Sequence, residues 1–172
     1  MRRQDVYAEA TLQSAMLLRR YLAGFDEGTK VAQAPGLPNH AAWSLGHLAL
    51  TMHRVAERLD KRPMPETEFV PGQRGDEHHF AIESVAFGSR PAAEAGAYPT
   101  WARCVAIFDS ACERLASAWR GASEETLEQM TPWGNAAVPT WSLANRIVFH
   151  NGMHCGQIAD LRRALGFGSI FA

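Results

Sequence analysis

The sequence predicts an all-α fold, a four-helix bundle, and two observations carry this prediction. Apolar residues recur every three or four positions in four segments of about twenty residues, as on the buried face of a packed helix. Loops rich in glycine and proline separate the segments, and no run alternates convincingly between apolar and polar residues. We expect one domain over residues 1–172, because 47% of the chain is hydrophobic and can form a sizeable core.

The first predicted helix covers about residues 4–25, and the second runs from Asn39 to about residue 59. Asparagine is a favoured N-cap residue, and Asn39 ends a segment whose prolines and glycine break the first helix. Residues 60–99 follow and contain many prolines and glycines without a sustained period. They predict a long irregular connection, a linker or a lid over the bundle.

The third long helix is predicted for about residues 100–120 and the fourth for about residues 141–165. Between them, a short helix is expected after Ser123, whose hydroxyl can cap its first turn. A turn is expected between Pro132 and Pro139.

Two histidines interrupt the apolar face of the fourth helix, which consists of Leu143, Ile147, His150, His154, Ile158, Leu161 and Leu165. Residues four apart on a helix project in the same direction, so His150 and His154 can bind one metal ion. A buried imidazole otherwise needs hydrogen bonds for both ring nitrogens. A metal site and a pair of structural core histidines are the two interpretations.

The second helix offers three candidates for a third ligand. His40 lies at its start and is expected to be solvated, and His53 is expected to be peripheral. His47 follows Gly46 and can face inward where another element approaches closely, although spacing alone does not decide among the three. The remaining pair, His78 and His79, is expected in a polar loop.

Two motifs together resemble the DinB/YfiT-like superfamily: W-x-L-G-H-L at residues 43–48 and H-x-x-x-H-x-G-Q-I at residues 150–158. The resemblance covers nearly the whole chain, including the order of the helices and the long connection between helices 2 and 3. It implies a four-helix bundle of DinB/YfiT-like type, a homodimer, and a divalent metal ion bound by His47, His150 and His154. Relatives active in thiol oxidation often have a glutamate at the position of Gly156, so that activity is not expected here.

Three imidazoles would leave open positions on the ion, which is typical of a catalytic rather than a structural site. Zinc or nickel is expected, with iron as an alternative. The ion could activate water for hydrolysis, or deliver a low-molecular-weight thiol to an electrophile, and several relatives are thiol-dependent transferases or isomerases. Asn151 and Gln157 are the groups expected to orient the imidazoles. No carboxylate is evident near the ligands, so a non-catalytic, stress-related metal-binding or dimerisation module is the competing function.

Several other classes are not indicated by the sequence. A net charge of −1 gives no reason to expect nucleic acid or an anionic membrane as partner. The three cysteines, Cys104, Cys112 and Cys155, do not form a disulfide framework, and Cys155 is expected to point away from the metal. The N-terminal residues do not resemble a signal peptide and no run of about 18 apolar residues is present, so we expect a cytoplasmic protein that acts on a small molecule.

Overall fold

Long helices dominate the structure, a computed structural model that describes residues 1–171. The long helices are α1 (Arg3–Tyr21), α2 (Ala41–Asp60), α4 (Trp101–Gly121) and α6 (Leu143–Ala164). The short helices are α3 (Ile82–Val85) and α5 (Glu124–Glu128). Both α1 and α2 pack against α4 and α6. The fold is mostly helical, as predicted. Within residues 1–171, no helix combines the length and the hydropathy that a bilayer-spanning segment needs.

The apolar faces predicted from the spacing form the core. Each long helix contributes side chains that are almost fully buried, among them Leu18, Leu48, Phe108 and Ile158. Burying one such side chain stabilises a protein by roughly 1.5–3 kcal/mol. Packing of these faces, more than helix propensity, therefore holds the four helices in place.

The predicted ends of the helices agree with the structure to within a few residues. The first helix ends at Tyr21 instead of residue 25. The cap predicted for the short helix is confirmed, because the hydroxyl of Ser123 accepts a hydrogen bond of 3.1 Å from the backbone N–H of Thr126.

The start of α2 differs from the prediction, because its N-cap is His40 and not Asn39. Nδ1 of His40 accepts a hydrogen bond of 3.1 Å from the backbone N–H of Trp43, and Nε2–H donates one of 3.0 Å to the carbonyl oxygen of Ala92. The ring is fully buried, so the expectation of a solvated His40 is wrong. Burial lowers the pKa of His40 to about 4, which keeps the ring neutral and able to cap the helix.

The connection between α2 and α4 is anchored to the helices, contrary to its interpretation as a linker or lid. It contains two parallel strands, β1 (Phe69–Val70) and β2 (Phe80–Ala81), and leads through α3 to a 3-10 turn at Ala95–Ala97. Buried side chains hold it in place: Phe69, Phe80, Val85 and Tyr98. Strands of two residues are too short to show an alternating pattern, so the sequence does not predict them.

A buried polar network also joins the connection to α2 and α4. His53 donates from Nε2 to the carboxylate of Glu68 at 2.7 Å, and Arg114 donates to Nδ1 of His53 at 3.3 Å and pairs with Asp60 at 3.2 Å. Burial raises the pKa of Glu68, but the hydrogen bond from His53 helps to bring it below the ordinary value. His53 is fully buried, so the expectation that it is peripheral is wrong.

A β-hairpin between α5 and α6 corrects the prediction of a fold without strands. Its strands, β3 (Met130–Trp133) and β4 (Ala136–Pro139), are antiparallel and joined by a two-residue turn. Gly134 begins this turn with a φ of 59°, which glycine adopts without strain. The turn expected between Pro132 and Pro139 is confirmed. The strands are missed because proline lacks the N–H of a strand ladder and argues against one.

Candidate metal centre

The three histidines selected from the sequence lie together where α2 meets α6. His47 is on α2, whereas His150 and His154 are one turn apart on α6 and project to the same side. The ring centroids are 5.0 Å apart for His47 and His150, 5.2 Å for His47 and His154, and 4.8 Å for the pair on α6. One nitrogen from each ring lies within 4.8 Å of the others, so the group could hold a metal ion.

A backbone carbonyl determines the orientation of His47. Its Nδ1–H donates a hydrogen bond of 2.8 Å to the carbonyl oxygen of Val85, and its Nε2 lies 3.1 Å from Nε2 of His150. The indole of Trp43, one turn earlier on α2, stacks on the ring with centroids 4.7 Å apart and an angle of 9°. A histidine that donates through one nitrogen to a carbonyl keeps the lone pair of the other for a metal ion.

Gly46 allows this hydrogen bond to form. A Cβ at residue 46 would lie 2.7 Å from ring carbons of Phe80 and 2.9 Å from Cγ1 of Val85, closer than such atoms approach one another. Because that Cβ is missing, β2 and α3 pack directly on α2, and the carbonyl of Val85 reaches His47. The expected close approach after Gly46 is therefore made by the connection and not by another long helix.

The surroundings of the cluster keep its rings neutral. His47 and His154 are 6% and 2% exposed, and His150 is half-buried. Burial lowers the pKa of His150 to about 4, and the neighbouring His47 adds to the effect. Burial and the two other imidazoles lower the pKa of His154 to about 3, and burial also lowers the pKa of His47. At neutral pH the rings therefore carry lone pairs that can bind a cation.

Two features of the cluster fit a divalent metal ion. Bonds from zinc to nitrogen of about 2.0–2.1 Å at tetrahedral angles place two ligand atoms roughly 3.3–3.4 Å apart. The Nε2 atoms of His47 and His150 are separated by a similar distance, 3.1 Å. In addition, neither Nδ1 of His150 nor Nδ1 of His154 has a hydrogen-bond partner among the described residues, so these rings differ from core histidines whose two nitrogens are both satisfied.

Asn151 and Gln157, the two residues expected to orient the imidazoles, have different surroundings in the structure. The side-chain amide of Asn151 donates a hydrogen bond of 2.9 Å to the hydroxyl of Ser14, so it joins α6 to α1 and the prediction for this residue is wrong. Burial lowers the pKa of His154, and the side chain of Gln157 opposes this in part, so Gln157 lies near the ring while its Oε1 accepts a hydrogen bond from Asn39. Sequence reasoning missed the carbonyl of Val85, because a backbone group has no sequence signature. Gly46 is the signal that could have pointed to it.

The other candidate residues lie outside the cluster. All three cysteines are buried free thiols, and burial raises the pKa of Cys104 to about 12 and the pKa of Cys155 above its ordinary value. Cys155 is not among the residues that could together hold a metal ion. His78 is exposed, and His79 accompanies it in a loop where its Nδ1 lies 3.0 Å from Asp76.

The cluster lines an open cleft of about 940 Å³ between α2, α6, the hairpin and residues 87–89. This volume suits a small organic molecule. Among the described residues that line the cleft there is no aspartate, glutamate, lysine or cysteine. Its charged side chains, apart from the histidines, are Arg54, Arg58 and Arg146. A small molecule can therefore reach the cluster through the cleft, and the charged side chains that it meets there are cationic.

The sequence model of the DinB superfamily matches residues 10–158, a range that includes both histidine motifs. This chain belongs to the DinB superfamily. The resemblance of the motifs is thereby confirmed. A conserved protein from Enterococcus faecalis has a similar fold, with a TM-score of 0.70 and 17% identity over 96% of this DinB-superfamily chain and 99% of that one. No curated protein gives a significant match.

The substitution Gly46→Ala tests the role of close packing at α2. We expect it to lower the free energy of unfolding by about 1–3 kcal/mol, because the new Cβ displaces Phe80 and Val85. It should also weaken zinc binding roughly 10- to 100-fold through the misplaced carbonyl of Val85. Urea denaturation and calorimetric zinc titration measure the two effects.

Gly156→Ala on α6 is the matched control, since a Cβ at that position meets no atom within 4 Å. It should leave zinc affinity unchanged. Equal zinc affinities for Gly46→Ala and the control would contradict the proposed link between residue 46 and His47.

The lowered pKa values of His150 and His154 predict how the stability of the metal-free protein depends on pH. As the pH falls below about 6.5, the unfolded chain takes up protons that the folded cluster does not, so the free energy of unfolding decreases from about pH 7 to about pH 4. His154→Leu should make this slope shallower by up to about 1.4 kcal/mol per pH unit. Parallel slopes for the wild type and His154→Leu would refute this prediction.

Proposed function

We propose that this protein is a metal-dependent enzyme that transfers a low-molecular-weight thiol to an electrophilic small molecule. One divalent transition-metal ion, zinc or nickel with iron as an alternative, would be held by His47, His150 and His154. The observation that carries the proposal is the convergence of three neutral imidazoles beside an open cleft instead of inside a sealed core. Structural zinc sites are closed by four protein ligands, and this group has three.

A cation bound by three nitrogens has positions left for a substrate atom and lowers the pKa of a thiol or water molecule that binds there. The protein itself orients the imidazole rings and buries them below the cleft. The hydrogen bond to Val85 and the stacked Trp43 hold His47 in place, and burial keeps all three rings unprotonated. The cleft provides the space in which an electrophile can approach.

The lining of the cleft favours a thiol over water as the nucleophile. A divalent ion deprotonates a bound thiol outright, whereas it lowers the pKa of a bound water molecule only to about 7, so water gains more from a general base. Among the described residues of the lining, no carboxylate is placed to act as that base. In the transfer, sulfur forms a bond to an electrophilic carbon, the leaving group departs with its bonding electrons, and the thiol proton passes to solvent.

We also propose that residues 1–172 form one domain whose long helices make a four-helix bundle of DinB/YfiT-like type. The packing of α1 and α2 against both α4 and α6 supports this. A homodimer stays a prediction, and the exposed apolar side chains of α1 offer it a surface: Val6, Met16 and Leu17. A cytoplasmic location and the lack of a nucleic-acid partner stay predictions as well.

His150→Ala and His154→Ala test the metal site. Each should reduce the affinity for zinc by more than about 100-fold, which exceeds the effect typical of residues that only orient a ligand. Metal content after dialysis, measured by mass spectrometry, and calorimetric titration provide the readout. His78→Ala, outside the cluster, is the matched control and should bind about one equivalent, like the wild type. Unchanged metal content in both cluster variants would eliminate the proposed site.

Turnover distinguishes the three functions. The zinc-loaded protein should consume thiol in the presence of 1-chloro-2,4-dinitrobenzene, and the metal-stripped protein and His150→Ala should not. Glutathione, cysteine and coenzyme A serve as the thiols, and 4-nitrophenyl acetate without thiol serves as the hydrolysis substrate. Metal-dependent ester cleavage alone would identify a hydrolase. Metal binding without turnover of either kind would favour the non-catalytic, stress-related module.

A further inference from the structure

The cleft beside the histidines contains three arginine side chains and no acidic ones among its described lining. Arg54 and Arg58 lie on α2, and Arg146 lies on α6. The ion pairs found within residues 1–171 involve other arginines, for example Arg114 with Asp60. Unpaired arginines are common on exposed helix faces, so their position in a cleft is what matters here.

Of the three arginines, Arg58 is the one with a buried nitrogen atom that lacks a hydrogen-bond partner among the described residues. This atom is Nη1, and the guanidinium of Arg58 lies 5.5 Å from the ring centroid of Trp133. Burial lowers the pKa of Arg58, the positive charge of Arg54 lowers it further, and Glu57 only partly opposes this. A guanidinium with free N–H donors matches an oxyanion, which accepts two of them at once.

Large apolar side chains surround the arginines and remain exposed. Phe87 is 94% exposed, Phe149 74% and Met153 44%, and all three line the cleft together with Trp133. Exposed apolar side chains gathered around a concave surface are typical of a ligand-binding site. The cleft thus offers flat apolar contacts beside its positive charge.

The helices determine how far the arginines are from the histidines. On α2, Arg54 and Arg58 follow His47 by seven and eleven residues, or about 10 and 16 Å along the helix axis. On α6, Arg146 precedes His150 by one turn, or about 6 Å. A molecule that reaches both groups can therefore be small, with its reactive atom near the histidines and its anionic group farther along the cleft.

We infer that the cleft binds a small molecule whose oxyanion, a carboxylate or a phosphate, is held by Arg54, Arg58 and Arg146 and whose flat apolar part lies against Trp133 and Phe149. The inference rests on the proposed function for the role of this molecule, which is then the electrophile that receives the thiol. The binding of the oxyanion itself needs no metal ion.

Calorimetric titration of the full-length protein with three matched probes tests the inference. Phenylacetate and phenyl phosphate carry the oxyanion, and phenylacetamide has nearly the same shape without charge. At least one anionic probe should bind about tenfold more tightly than phenylacetamide, in both the metal-stripped and the zinc-loaded protein. The tighter of the two anions identifies the oxyanion. Arg58→Gln should weaken binding of that anion about tenfold and leave the affinity for phenylacetamide unchanged.

Arg146→Gln, at an exposed position, gives a second test that does not depend on how the half-buried Arg58→Gln variant folds. Arg20→Gln is the matched control, because Arg20 is exposed on α1 outside the cleft, and it should bind all probes like the wild type. Equal affinities for the anions and the amide, or an equal loss in Arg20→Gln, would overturn the inference.

Failure of this inference and failure of the proposed function give different results. If the protein binds no zinc but still prefers the anions, the oxyanion site stands and the metal-dependent function fails. If zinc binding and thiol transfer occur without preference for the anions, only the oxyanion site is overturned.

Discussion

The hydrogen bond from Nδ1–H of His47 to the carbonyl oxygen of Val85 is the contact on which the candidate site depends. It selects the tautomer of His47 and turns its Nε2 toward His150. The contact exists because Gly46 has no side chain to hold the connection away from α2. The irregular segment between α2 and α4 therefore acts on the site from a distance of about forty residues along the chain, through one backbone oxygen.

The cluster lies where an ordinary helical protein would place leucine. Buried nitrogen atoms without partners cost roughly 1–3 kcal/mol each, and Nδ1 of both His150 and His154 is in this situation. The surrounding core offsets this cost, because Trp43 stacks on His47 and apolar side chains precede and follow the pair on α6. These groups lower the stability of the folded protein, and local features that cost stability are typical of functional sites.

The cleft separates two kinds of chemistry. At the histidines the rings are neutral and present lone pairs, whereas Arg54, Arg58 and Arg146 present only positive charge and N–H donors. Arginines and a ligand set for a metal in the same cleft would together orient an anionic molecule. A purely structural metal site would need neither the open cleft nor its arginines, so the cleft supports the proposed binding of a small molecule beside the histidines.

The sequence by itself determined the four long helices and the pair His150 and His154, because both follow from local geometry: a buried face repeats every three or four residues, and residues four apart on a helix share a direction. Tertiary structure decided which histidine of the second helix joins that pair. His40, His47 and His53 are all buried, but their partners are Ala92, Val85 and Glu68, which lie in the aperiodic connection. Spacing along α2 carries no information about such distant partners. The family motif selected His47, and the packing at Gly46 supplies the physical reason.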